Sequence, residues 1–233
     1  MEFPEDFNQL ELLNTHGHLI PHGASSLWTR SKEKEEEEDE EEEEVEHSEE
    51  WYREKEEALK DNPAELILWA AEKNRLSTIH RLLLAYPQLV HCSDEDGYTP
   101  LHRAAYSGHV DVISALLAAG SKINPRTIDG WTPLHSACRW SRVAVVSFLL
   151  RHGAELNAQT NGGLTPLHLA ASYTGSSKTD SACTLELLLS QRHLRPGLRS
   201  SSRETAGEVA RRSGPHHFLF EMVEDCVSVV PVS

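Results

Sequence analysis

Nowhere in the 233 residues does an apolar run approach the roughly 20 needed to cross a bilayer, so no membrane contact is expected. The first residues, MEFPEDF, are acidic and lack the apolar stretch of a secretory signal, so export by that route is not expected. Cysteine is scarce. Cys92, Cys138, Cys183 and Cys226 stand 43 to 46 residues apart, which matches neither a zinc pattern nor a compact disulfide framework, and a reduced, intracellular setting is expected. Phosphate-cradling glycine motifs and the G-x-S-x-G elbow are missing. The chain is therefore read as a non-enzyme that needs no cofactor.

Positive charge is sparse at one end only. Residues 1–60 carry 21 Asp and Glu against 6 Lys and Arg, whereas residues 61–233 carry 16 of each. All of the formal −15 thus belongs to the first quarter. Ten acidic residues run without interruption from Glu35 to Glu44. Such blocks repel themselves and stay solvated, either as spacers or as interaction tails. Around the run stand Phe7, Leu10, Leu13, Leu19, Ile20, Leu27 and Trp28, and this mixture of acidic and apolar residues is the composition of disordered activation segments. After it, Trp51, Lys55 and Leu59 share one face of an expected helix that could cap the body of the chain.

What the chain has in plenty is repetition. T-P-L-H begins at Thr99, Thr132 and Thr165, at intervals of 33. The small pair Ala104–Ala105 recurs as Ala137–Cys138 and Ala170–Ala171. Leucine pairs come later in each unit, at Leu116–Leu117, Leu149–Leu150 and, after an insertion, Leu188–Leu189. Thr can cap a helix whose first residue is Pro, because the donor that Pro lacks would go unused there. Gly108, Ser141 and Asn74 fall where one helix must turn into the next, and Asp96-Gly97 and Asp129-Gly130 are turn signals.

A 33-residue period with T-P-L-H-x-A resembles the ankyrin-repeat family. The resemblance implies an all-α solenoid of four helix-turn-helix repeats with a partial C-terminal cap. The expected plan is a disordered acidic and apolar arm over 1–48, then a capping helix over 49–61. Repeats span 62–97, 98–130, 131–163 and, with an insertion, 164–203. A degenerate capping repeat (204–226) and a tail (227–233) complete it. In that last unit Gly207 stands where Leu is expected, which predicts loose packing. His102, His135 and His168 take, by resemblance, a structural role that links neighbouring loops. Cys138 is read as a small core residue, and His16-Gly17-His18 and His216-His217 as pairs without a built metal site.

Resemblance also says where a partner would be gripped: on the finger-like loop tips and the concave face of the inner helices. Carried over, the positions are Arg103 and Leu169 after the motif histidine, with Trp69 at the matching place in the first repeat, which lacks T-P-L-H, then Tyr98, Trp131 and Leu164 before the motif Thr, and Tyr106, Arg139, Trp140 and Tyr173 at the inner-helix ends. Trp, Tyr and Arg are the residue types enriched at interface hot spots. The expectation is a monomeric protein-binding adaptor, a regulator of transcription in the nucleus and also in the cytoplasm. Direct nucleic-acid binding is not expected, because phosphate would be repelled. A stoichiometric enzyme inhibitor and an acidic chaperone of basic proteins are the rival readings.

Overall fold

The computed structural model describes residues 48–172, 178–213 and 216–221. Residues 1–47, which hold most of the acidic arm, and 222–233 lie outside the described residues. Ten α-helices and one 3-10 helix make up most of the regular structure of the described residues, and an isolated antiparallel bridge joins Arg199 to Thr205. Helix α1 is Glu49–Ala58. Four hairpins come next: α2 Pro63–Glu72 with α3 Leu76–Ala85, α4 Pro100–Ser107 with α5 Val110–Ala118, α6 Pro133–Arg139 with α7 Val143–Arg151, and α8 Pro166–Ser172 with α9 Lys178–Leu189. Helix α10, Ala206–Ser213, follows them, and beyond it residues 218–221 are helical. The 3-10 helix Pro87–His91 fills the longer connection after α3.

Each inner helix of the three full copies starts on the motif proline. Thr99 and Thr132 close capping boxes in which the Thr hydroxyl accepts from the backbone of the histidine three residues on, while that histidine's ring accepts from the Thr backbone. At the far end the chain reverses through a left-handed residue: Gly108 at φ 92°, Ser141 at φ 50° and Asn74 at φ 55°. All three occupy the turns expected of them.

The core is one continuous strip. Leu101, Leu134 and Leu167 from inner helices meet Ile113, Leu116, Leu149, Leu185 and Leu188 from outer ones, all almost fully buried. Ala104, Ala105, Ala137, Cys138, Ala170 and Ala171 let the helices approach closely. Inner helix packs on inner helix from α2 through α4, α6 and α8 to α10, so no hairpin buries its apolar face alone. Contrary to expectation, Gly207 does not loosen the end: the Phe220 ring lies 3.4 Å from where a Cβ would stand, and Phe220 is buried. The missing side chain makes the seat for that ring.

The loops between hairpins form a second ladder. In each finger a residue donates to the carbonyl four positions on: Asp94 to Tyr98 (3.1 Å), Thr127 to Trp131 (3.0 Å), Thr160 to Leu164 (2.9 Å) and Ser200 to Glu204 (2.9 Å). Successive fingers are then joined by Ile128 N–H to Asp96 O (2.9 Å), Asn161 N–H to Asp129 O (2.9 Å) and Ser201 N–H to Gly162 O (2.8 Å). Gly97, Gly130 and Gly163 sit at these junctions with positive φ, and a Cβ on Gly163 would come within 3.0 Å of Ser201 N.

Candidate partner-binding surface

His102, His135 and His168 are buried at 0 to 1% exposure, yet every ring nitrogen has a partner. Nδ1 of each accepts from the backbone N–H of its motif Thr at 3.1 to 3.2 Å. That leaves the proton on Nε2, which donates to the carbonyl of Trp131, Leu164 and Glu204 respectively, each at 3.1 Å. Burial holds the pKa of His102 and His135 down to about 4, and lowers that of His168. These rings stay neutral and tie one repeat to the next. A parallel tie was missed in the sequence although its signal was there: Asn124 and Asn157, 33 residues apart, accept from the backbone N–H of Glu155 (3.0 Å) and Arg195 (2.9 Å).

The ten residues picked out for partner binding separate into groups. Trp69 is half-buried beneath α1, with Trp51 and Tyr52 ring centroids 6.5 and 6.1 Å away. Glu56 of α1 locks this contact, accepting from Thr78 Oγ1 (2.6 Å), Arg81 (3.2 Å) and Arg75 (3.5 Å), while Arg75 also lies 4.9 Å from the Tyr52 ring. Arg103 is half-buried and bridges two repeats, donating to Asp94 (2.8 Å) and Glu72 (3.4 Å). Its guanidinium also covers the Tyr98 ring at 5.4 Å, and Tyr98 meets His102 edge-on at 5.7 Å. Trp131 leans over His135 at 6.3 Å.

Tyr106, Arg139 and Trp140 form the remaining group. The two aromatic rings meet edge-on at 5.0 Å, Arg139 lies 5.4 Å from the Trp140 ring, and Trp140 keeps 38% of its surface exposed. Arg142 Nε donates to Tyr106 O at 2.9 Å and fixes the turn below. Leu164 is half-buried, Leu169 is buried at 6% exposure, and Tyr173 lies outside the described residues. Trp69, Tyr98, Arg103 and Trp131 thus make contacts within the fold and are half-buried, as are Tyr106 and Arg139, while Trp140 is the exposed aromatic of the set.

The chemistry of this surface is that of contact. Cys138 is fully buried and its thiol is pushed far up in pKa, while burial raises Cys92 to about 11, so both stay protonated. Among the described residues no cluster of three or more His, Cys, Asp or Glu is arranged around a metal position. No helix of the described residues is long and apolar enough to cross a membrane.

Comparison with known proteins agrees with this geometry. The family model "Ankyrin repeats (many copies)" matches residues 67–117 and 102–150. Ankyrin repeat domain-containing protein 49 of Bos taurus is 58% identical over 233 residues, covering 100% of this chain and 93% of that protein. Its Homo sapiens counterpart is 56% identical over the same span. The protein of the same name from Drosophila melanogaster is 53% identical over 160 residues, covering 69% of this chain and 72% of that one. Stacked hairpins, a histidine ladder between them and full-length relatives together place the chain in the ankyrin-repeat family, as a protein–protein interaction module.

Proposed function

We propose that the chain is a non-catalytic adaptor that holds a protein partner on its inner-helix face and works in the nucleus, with a cytoplasmic fraction, as a regulator or cofactor of transcription. The observation that carries the binding surface is the exposed Trp140, edge-on to Tyr106 and with Arg139 beside it. Large aromatics and Arg are the side chains that most often dominate binding energy. Support for the nuclear role comes from the arm, where the acidic run Glu35–Glu44 is flanked by apolar residues. Direct contact with nucleic acid forms no part of this reading, since the formal charge is −15.

The test pairs Tyr106→Ala with Trp140→Ala in the full chain. Melting should be little changed, and proximity labelling in cells should lose a defined set of nuclear proteins. Retention of the same neighbours at the same yield would end the reading. The ten-residue acidic run favours a second reading, a chaperone of basic proteins. Deleting residues 1–48 separates the two: the chaperone loses its clients, whereas the inner-helix face keeps its partner.

A further inference from the structure

The four fingers share one backbone pattern but differ at one residue. Gly97, Gly130 and Gly163 each donate their N–H to the residue three positions before, at 2.8 to 3.1 Å, with φ between 72° and 86°. Arg203 makes the same bond to Ser200 O at 2.8 Å, with φ 63°. In the first three fingers glycine is obligatory for a second reason, because the next finger's backbone lies about where a Cβ would press: 3.1 Å for Gly97, 3.0 Å for Gly163. No finger succeeds the fourth among the described residues, so a side chain fits there. Left-handed geometry still costs a non-glycine residue roughly 1 kcal/mol. The fold tolerates Arg203 without requiring it.

The surroundings of Arg203 explain its use. Residues 190–213 hold six arginines and two glutamates. The glutamates are engaged: Glu208 caps Thr205 N–H (2.6 Å) and accepts from Arg199 (3.2 Å), and Glu204 accepts from Arg212 (2.7 Å). Arg199 also donates to Arg203 O, which fixes the finger from beneath. Asn157 holds the preceding loop by accepting from Arg195 N–H (2.9 Å) and donating to His193 O (2.8 Å). Arg195 and Arg203 are exposed, and no described carboxylate pairs with either. They are guanidiniums presented from a braced loop.

We propose that this terminal finger is a second docking surface, and that it takes an acidic segment of a protein partner. Guanidinium groups match carboxylates in charge and planar shape. A short protein segment fits better than a nucleic acid because the carboxylates of Glu204, Glu208 and Glu221 interrupt the patch and leave no continuous basic track for a long phosphate chain. The inference stands apart from the Tyr106–Trp140 surface. An adaptor needs two surfaces, and this supplies the other.

The experiment measures fluorescence anisotropy of a labelled 15-residue Asp/Glu peptide against the full chain at low salt. Binding that weakens with added salt is expected. Arg195→Glu with Arg203→Glu should weaken it about tenfold, since each exposed pair contributes little. Arg203→Gly, which cannot strain the turn, should weaken it a few-fold while melting no earlier. Arg139→Glu at the other surface should leave it unchanged. The proposal is overturned if the full chain ignores the peptide, if the double variant binds it as well, or if a single-stranded oligonucleotide of equal charge binds more tightly.

Discussion

Nε2 of His135 donates to the carbonyl of Leu164 across 3.1 Å, and so the start of one repeat's inner helix is bonded to the finger of the next. His102 and His168 repeat the arrangement with Trp131 and Glu204. The bond needs a neutral ring with its proton on Nε2, because Nδ1 is already accepting from Thr132 N–H at 3.1 Å.

Acid should therefore unfold this protein earlier than its carboxylates alone would. The folded pKa of His102 and His135 is about 4, below the ordinary 6.5. Stability from these rings is fully present above pH 6.5 and is lost as pH falls through about 4, since the unfolded chain takes up the protons first. Each ring contributes up to about 3 kcal/mol. Urea midpoints measured from pH 7.5 to 4.5 should fall steadily. A His135→Gln variant, destabilised at pH 7.5, should show a shallower fall.

Leu134→Ala removes a side chain that is 1% exposed in the third repeat. The cost should be about 2–5 kcal/mol, the usual range for a buried leucine. Because each repeat leans on its neighbours, the urea transition of the whole array should move. An unchanged midpoint would contradict the packing.

Gly163→Ala and Arg203→Gly should act in opposite directions. The first puts a Cβ within 3.0 Å of Ser201 N at φ 72° and should destabilise by more than about 1 kcal/mol. The second relieves a left-handed arginine at φ 63° and should be neutral or stabilising by up to about 1 kcal/mol. Thermal melts of the two variants read both.

Glu56→Ala should release α1. No residue of α1 is fully buried, so the helix is held by the three donors converging on Glu56 and by the Trp51, Tyr52 and Trp69 rings. Loss of charged hydrogen bonds of this kind costs about 1.5–3 kcal/mol. Hydrogen exchange across residues 49–58 should accelerate while α4 to α8 stay protected.

How far the sequence can be read depends on the range of each interaction. Motif Thr, Pro and His act within one helical turn and at a fixed 33-residue step, so helix starts, left-handed turns and the histidine ladder are all legible. Arg103 is not. Its place beside the motif histidine predicts a partner contact, and its pairing with Glu72, 31 residues back, is a geometry that periodicity does not encode. Trp69 sits under α1 for the same reason, since its covering helix lies outside the repeat. Leu169 comes after the motif histidine just as Arg103 does, but it is buried while Arg103 is only half-buried, a difference set by the neighbours each meets. Phe220 over Gly207 is a fit between a gap and a ring 13 residues apart, visible only once both are placed.

The histidine ladder runs one way. Each ring reaches forward to a carbonyl 29 or 36 residues later in the chain, never backward. During synthesis each ring therefore gains its inter-repeat carbonyl only once the next loop has been made. A message cut short before Glu204 yields a chain whose final ring, His168, lacks its carbonyl partner.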